Sequence, residues 1–432
     1  MSRAPRGEII AVGTELLLGQ TVNTNATWLS RRLAEIGVDV FFHTAVGDNI
    51  ARLRAALEAA AGRSDVVVIC GGLGPTEDDV TREALALHLG RPVVRDKGAE
   101  AAVRRYFERV GRPMAANNLR QAEVLLDSRA YPNDVGLAVG FRAEKDGVVY
   151  IALPGPPHEL KTMFDRHVAP DLKRLLPQAA PLVHRYLHFA GIGESALAAR
   201  LDDVIGAQSD PTIAVYAEPG HVLVRLTTRR ADEKAAAEAF SSPMETIIGR
   251  LREYYFGEGE GLTLAEAVLK RLQARGWTLA VAESCTGGLV ADALASVPGA
   301  SSVFRLGVVP YQTPMKAAVL GLDAAGLSAH GAVSLWAAEA MARAVQAMSA
   351  AEVGLATTCV AGPGLQDDRP IGEAYIGLAV GTRSWATAMR FSGDRSSIRR
   401  HVAARALFEL FRALEVPDEP MRARDESMTE EG

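Results

Sequence analysis

The spacing of apolar and polar positions divides the chain into three stretches with different rhythms. Glu8 to Val12 is a short apolar run that predicts a buried strand, and Leu29, Leu33 and Ile36 then recur at helical spacing within Asn25 to Ile36. A second strand is expected at Val38 to Phe42 and a helix from near Asp48. Asp65-Val-Val-Val-Ile-Cys70 is apolar enough for an interior parallel strand. This β-loop-α rhythm predicts a doubly wound α/β sheet over residues 1–171.

The rhythm changes at Pro177-Gln-Ala-Ala-Pro181, where a proline at each end marks a boundary. Over 172–257 the pattern gives a small α+β unit. Its expected parts are a strand at Tyr186 to Phe189, a helix at Ser195 to Ile205, and a hairpin of Thr212 to Tyr216 and His221 to Thr227 around Pro219-Gly220. A helix at Ala231 to Phe240 follows, and Pro243 is expected to open another. Tyr254-Tyr-Phe-Gly-Glu-Gly-Glu-Gly261 reads as a linker.

Thr263-Leu-Ala-Glu266 is a capping box that starts the third stretch, 262–416, and Leu264, Val268 and Leu272 form the apolar stripe of the helix it opens. Thr278 to Ala282 predicts a strand, as does Val303 to Tyr311. The polar run 417–432 lacks an apolar stripe and is expected to be a disordered tail.

Composition changes this picture little. Of the 432 residues, 48% are hydrophobic and 23% charged, and 40 are glycine, which suits an ordinary α/β globular protein. The net charge of −5 gives no electrostatic reason to expect nucleic acid as the main ligand. No apolar run approaches a membrane span, so no membrane partner is expected and the cytoplasm is the expected compartment. Cys70, Cys285 and Cys359 are an odd number without CxxC spacing, which argues against both a disulfide framework and a zinc site.

Two stretches carry candidate chemistry. In a doubly wound sheet ligands sit beyond the carboxyl ends of the strands, where Gly13-Thr14-Glu15, Gly47-Asp48 and Gly71 to Asp79 should converge. Gly13, Thr14, Gly71, Gly72, Gly74 and Thr76 are candidates for holding phosphate. Glu15, Asp48, Asp78 and Asp79 are candidates for a divalent metal of unknown identity. The plain alternative is a glycine turn with acidic helix caps.

The second stretch is Val281-Ala-Glu-Ser-Cys-Thr-Gly-Gly288, a strand that delivers Ser284 to a turn. A lysine desolvated among apolar groups loses its charge more easily than its reference pKa of about 10.4 suggests, and can then take a proton from serine. Lys316, flanked by Met315, Ala317 and Ala318, is that candidate, against the plain reading of a solvated helix lysine. Cys285 competes as nucleophile but has no histidine nearby in sequence to activate it. The amides of Thr286, Gly287 and Gly288 suit either a phosphate or an oxyanion. His184 and His188 lie on one strand face without an acidic partner at ligand spacing, which weakens a metal reading.

Gly71-Gly-Leu-Gly-Pro-Thr-Glu-Asp-Asp-Val-Thr81 resembles the signature of the molybdopterin-binding MoaB/MogA-like superfamily. Gly13-Thr-Glu-Leu-Leu-Leu-Gly-Gln20, Asn23-Thr-Asn25, Asn118-Leu-Arg-Gln-Ala122 and Leu153-Pro-Gly-Pro-Pro157 are similar to the N-terminal domain of the CinA family. That resemblance implies metal-dependent ADP-ribose pyrophosphatase activity. Gly191-Ile-Gly-Glu-Ser195 resembles the link to the family's KH-like middle domain. No GxxG loop flanked by basic residues accompanies it, so a spacer or dimerisation role is expected.

The third stretch looks like the C-terminal CinA or PncC domain, through Ala282-Glu-Ser-Cys-Thr-Gly-Gly288, Val297-Pro-Gly-Ala-Ser301, Gly331-Ala-Val-Ser334, Ala361-Gly-Pro363 and Phe391-Ser-Gly-Asp-Arg395. The resemblance implies hydrolysis of the carboxamide of nicotinamide mononucleotide without a cofactor. Carried over by motif, Ser284 is the nucleophile or water-activating hydroxyl, Lys316 the base, Tyr311 a neighbour of the proton path and Thr358 a further hydroxyl. Gly362 belongs to the substrate site, and Arg395 or Arg399 would pair with the phosphate. Two departures stand out: Cys359 replaces a usual glycine, which would strain the backbone if φ were positive there, and Gln312-Thr313 replaces a usual Ser-Asn pair. The expectation is a cytoplasmic, homodimeric, two-site hydrolase of small-molecule nucleotides. The alternatives are a competence-linked nucleotide-binding scaffold with weak or lost catalysis and a molybdopterin-binding protein.

Overall fold

The computed structural model describes residues 3–177, 180–218, 220–230, 232–366 and 368–415. The expected tail 417–432, Pro219 and Ala231 therefore lie outside the described residues. The chain forms two compact units, one of residues up to 183 together with Thr228–Glu238, the other of His184–Thr227 and the residues from Ala239 onward.

The first unit contains β1 (Arg6–Val12), β2 (Asp39–Val46), β3 (Val66–Cys70), β4 (Val93–Arg95), β5 (Glu123–Leu125), β6 (Arg129–Tyr131), β7 (Gly140–Lys145) and β8 (Val148–Leu153). The main sheet has the order β2-β1-β3-β8-β7-β6, and β4 pairs with β5 apart from it. β2, β1, β3 and β8 are parallel, while β7 and β6 run antiparallel. Helix Thr24–Ile36 buries Leu29, Leu33 and Ile36 against Ile9, Ala11, Val66 and Val68. Helices Ile50–Ala61 and Thr81–Leu89 cover Ile10, Val12, Val67 and Ile69 on the opposite face. Both faces of β3 are buried, and for that reason the run Val66–Cys70 contains no polar residue. The expected double winding is present. β2 outlasts its apolar signal because it is an edge strand whose middle residues are exposed.

In the second unit, β9 (Leu182–Phe189), β10 (Thr212–Glu218), β11 (His221–Arg229) and β12 (Tyr255–Glu258) form a sheet in the order β10-β11-β9-β12. The hairpin was legible. The helices were less so: the expected Ser195–Ile205 helix is two short ones, Glu194–Arg200 and Asp202–Gly206, and Pro243 lies inside one continuous helix, Glu233–Arg250, rather than opening a new one. A proline lacks one donor and crowds one carbonyl, and here the ladder on either side outweighs that local cost.

β13 (Leu279–Glu283), β14 (Phe304–Val308), β15 (Val353–Cys359), β16 (Glu373–Val380) and β17 (Arg383–Arg390) form the last sheet, ordered β14-β13-β15-β16-β17. β13 is parallel to both β14 and β15, and β16 and β17 continue antiparallel. Leu279, Val281, Leu355 and Ile376 point to one face, where helices Leu264–Arg275 and Arg395–Ala413 pack. The N-cap half of the expected box is present, with the Glu266 amide donating to Thr263 Oγ1 at 3.2 Å, while the Glu266 carboxylate pairs with Lys270. The other face presents Ala280, Ala282, Ala356 and Ala379 to helix Leu335–Ser349. That helix lies so close that a Cβ added at Gly377 would run into the Ala338 carbonyl. β14 ends at Val308, short of the expected Tyr311, because Pro310 cannot continue the ladder.

Candidate active site

The register of β13 against β15 pairs Glu283 with Thr357, and the Ser284 amide extends this ladder by donating to the Thr357 carbonyl at 3.0 Å. Ser284 thus stands at the carboxyl end of an interior strand, 8% exposed. Lys316 reaches it from helix Thr313–Leu320. It is 1% exposed, and its Nζ donates to Ser284 Oγ at 3.0 Å and to the Pro310 carbonyl at 3.2 Å. Such burial takes the lysine out of solvent and sets its nitrogen within proton-transfer distance of the serine hydroxyl. The solvated-lysine alternative is thereby overturned.

The turn after Ser284 departs from expectation. Gly287 N–H donates to the Ser284 carbonyl at 3.1 Å, and Gly288 N–H to Glu283 Oε2 at 3.0 Å. Glu283, itself buried, also accepts from the Val290 and Ala291 amides at 3.1 and 2.8 Å. The chain's own carboxylate therefore closes the start of helix Leu289–Ala295, and the amides of Gly287 and Gly288 are already engaged. Glu283 was not singled out in the sequence, although an acid just before a glycine pair and a helix is the signal that could have found it. Thr286 Oγ1 pairs with Thr357 Oγ1 at 2.7 Å, both residues buried, which brings in a second hydroxyl that the motif comparison passed over.

The two arginines divide their work. Arg399 Nε donates to the Cys285 carbonyl at 2.9 Å and its Nη2 to the Thr286 carbonyl at 2.8 Å, so it braces the turn rather than awaiting a phosphate. Arg395 is exposed and donates to the Gly362 carbonyl and to Tyr311 Oη. Tyr311, 51% exposed, is drawn to Arg395. The Thr358 hydroxyl donates to the Ala332 carbonyl at 2.8 Å, tying β15 to the Gly331–Ser334 loop. Strand alternation sends Thr357 and Thr358 to opposite faces, and Thr357 is the one that meets the turn.

Cys285 and Cys359 are joined as a disulfide with Cα atoms 5.5 Å apart, contrary to the expectation from an odd, widely spaced set of cysteines. The register explains it: each follows the paired Glu283 and Thr357 by two residues, so a sequence separation of 74 closes to neighbouring positions. Cys359 is the last residue of β15 and is not among the described non-glycine residues with positive φ, which are Asp127, Asp146, Ala350 and Asp368. The feared strain is absent. Cys70 is the remaining thiol, and burial pushes its pKa up to about 12.

In the first unit the three expected loops do meet. Asp48 accepts from the Thr14 amide and hydroxyl, each at 2.8 Å, which ties the β1 and β2 ends together. Asp79 accepts from the amides of Gly74 and Thr76 at 2.7 and 2.9 Å and from Thr76 Oγ1 at 2.6 Å, so it shapes the glycine loop. Two further residues hold this loop: buried Arg82 donates to the Leu73 and Gly74 carbonyls, and Arg120 Nη1 donates to the Thr76 carbonyl at 2.9 Å. No sequence signal marks Arg82, whereas Arg120 lies in the Asn118-Leu-Arg-Gln-Ala122 stretch noted above. Glu15 and Asp78 are exposed. Among the described residues no group of three or more His, Cys, Asp or Glu side chains could hold a metal by itself. A cavity of about 140 Å³ opens between Glu15, Asn23, Asn25, Gly71 and Gly155. Asn25 Nδ2 donates to the Gly155 carbonyl at 2.8 Å, and its Oδ1 is buried without a hydrogen-bond partner.

Gly71 has φ +102°, and an added Cβ would strike the Val12 carbonyl oxygen. Gly71→Ala is expected to destabilise the first unit by about 2 kcal/mol through the left-handed conformation and the clash. Urea unfolding of variant and wild type checks this. In β9, His184 Nδ1 meets Thr227 Oγ1 at 2.9 Å, and His188 meets His221 and the Gly259 carbonyl at 3.2 and 2.7 Å. Both are packed, hydrogen-bonded residues.

Three segments of the chain match known families. Residues 8–174 match the family described as "Probable molybdopterin binding domain", 184–257 the damage-inducible protein CinA KH domain, and 262–414 the CinA C-terminal domain. The chain is 44% identical over 409 residues to a Geobacillus kaustophilus protein named "Putative competence-damage inducible protein", covering 94% of this chain and 98% of that protein. A Symbiobacterium thermophilum protein of the same name is 47% identical over 413 residues, covering 93% and 96%. The crystal structure of CinA, "with unknown function", from Thermoplasma acidophilum is similar at 33% identity with a TM-score of 0.36, covering 39% of this chain and 98% of that one. With relatives of this identity matching along almost its whole length, the chain belongs to the CinA family.

Proposed function

We propose that the protein is a two-site hydrolase that recycles NAD-derived nucleotides, acting in the cytoplasm as a homodimer. The observation that carries this reading is the buried contact of 3.0 Å between Lys316 Nζ and Ser284 Oγ. With the amine neutral, the contact runs from the serine hydroxyl to the lysine. Ser284 Oγ then attacks the carboxamide carbon of nicotinamide mononucleotide as its proton passes to Nζ, and Lys316 returns that proton to the departing ammonia. Water repeats the exchange on the acyl-enzyme and releases nicotinate mononucleotide. Arg395, exposed beside Tyr311 and Gly362, is the group suited to the substrate phosphate.

In the first unit we propose hydrolysis of the ADP-ribose pyrophosphate. A divalent cation would supply charge neutralisation there, and hard oxygens at Glu15 and Asp78 suit one that takes its remaining ligands from water and substrate phosphates. The residues themselves orient: Asp79 fixes the loop from Gly71 to Thr76 through the Gly74 and Thr76 amides, and the unpartnered Asn25 Oδ1 offers an acceptor to a ligand hydroxyl or amino group.

The test is incubation of the full chain with nicotinamide mononucleotide, with and without chelator, and separately with ADP-ribose plus a divalent metal. Ammonia and nicotinate mononucleotide are expected at equal rates with and without chelator. AMP and ribose 5-phosphate are expected only with metal. Binding without turnover in both assays would instead identify a nucleotide-binding scaffold.

A further inference from the structure

We propose that Cys285 and Cys359 form a thiol-oxidation site, converted between dithiol and disulfide, that sets the position of the Ser284 turn. Three observations carry it. The two residues immediately follow Ser284 and Thr358 in sequence, so a bond between them ties the nucleophile's turn to the end of β15. Their Cα separation of 5.5 Å is that of ordinary disulfides, and it follows from the parallel register rather than from a chance approach of loops. Both side chains lie in a small apolar cluster with Ala361, Ala374, Ile398 and Val402, at 6% and 4% exposure, and the Arg399 guanidinium stands beside it, donating to the Cys285 carbonyl at 2.9 Å. A disulfide placed this way in a reducing compartment is typically transient and redox-sensing.

The oxidant fitted to so enclosed a pair is a small peroxide. The Cys285 thiolate attacks one peroxide oxygen, the O–O bond breaks, and hydroxide leaves to take up a proton as water. The resulting sulfenic acid loses its hydroxyl as a second water when the Cys359 sulfur closes the S–S bond. The two thiols give up two electrons and the peroxide accepts them. A dithiol reductant reverses the change by exchange.

The direction of the effect follows from the crosslinked geometry, in which Ser284 Oγ already stands 3.0 Å from Lys316 Nζ. Unbonded thiols stand farther apart than bonded sulfurs. In so tight a cluster the extra separation moves the turn against β15, and misplacement of a nucleophile lowers its rate. The bearing on turnover rests on the amidase reading proposed above, whereas the site itself does not.

The experiment treats the full chain with dithiothreitol or with hydrogen peroxide, then alkylates it in denaturant and maps the peptides by mass. Only Cys70 is expected to be alkylated after peroxide, and all three cysteines after dithiothreitol. The peroxide-treated form is expected to unfold at a higher temperature, and Cys359→Ala and Cys285→Ala are each expected to abolish that difference. Ammonia release by the wild type should fall by about threefold or more on reduction, with neither variant responding to the reagents. Full alkylation after peroxide, or a thermal shift that persists in both variants, would overturn the site. Equal turnover of the two states would overturn its control of the turn. Absence of ammonia in every sample would instead count against the amidase reading, leaving alkylation and melting to decide the crosslink.

Discussion

Lys316→Met is expected to lower kcat for carboxamide hydrolysis by roughly 10³-fold while changing KM little, because in the proposed reaction the lysine acts on the proton and not on the nucleotide. Methionine suits the test. It has comparable length, no charge and a ready fit to a buried site, so the fold should survive. Ser284→Ala should fall equally far. The decisive result is the double variant: two groups that share one proton act as a unit, and removing both should cost no more than removing either. Single-turnover ammonia release measures all three, with thermal melting to show that each remains folded. Independent, multiplying losses would separate Lys316 from the Ser284 proton and return the lysine to a packing role.

Glu283→Ala is expected to destabilise the second unit by about 4 kcal/mol. The carboxylate accepts three backbone N–H groups, from Gly288, Val290 and Ala291, inside a buried turn. Removing it orphans all of them at roughly 1–3 kcal/mol each, partly offset where water can enter. Glu283→Gln keeps one acceptor oxygen but places an amide donor against a donor, so about half of the loss is expected to remain. Urea unfolding followed by a probe of the second unit, such as Trp277 fluorescence, reads both variants. A loss below about 1 kcal/mol for Glu283→Ala would show that the helix start is stabilised by other means.

The architecture was readable because its periodicities were strong. An unbroken Val66–Cys70 between two helical patterns leaves few places to put a strand except the middle of a parallel sheet. Ser284 and Lys316 were also accessible, one from a strand running into glycines and the other from an apolar neighbourhood. What the pattern hid were the partnerships set by register. Whether the amides of Gly287 and Gly288 face a ligand or a carboxylate depends on where Glu283 turns, and that is fixed only when β13 lies beside β15. The same register brought Cys285 to Cys359 and chose Thr357 over Thr358 as the neighbour of Thr286. Arg399 looked like a phosphate ligand because charge was all that the sequence displayed, while its carbonyl partners carry no sequence signature. In the first unit topology put the four acids on neighbouring loops without joining them into one group among the described residues, because two of them, Asp48 and Asp79, spend their lone pairs on the loops.

The alanine and glycine face beneath helix Leu335–Ser349 has a mechanical consequence. With backbone nearly against backbone, the strands cannot slide along the helix without methyl groups colliding with carbonyls. This layer acts as a fixed bench on which the Ser284 end of the sheet is clamped. Relative motion at the site is thereby confined to the segments beyond the strand ends, while the spacing of those ends is inherited from a lamination that has no room to breathe.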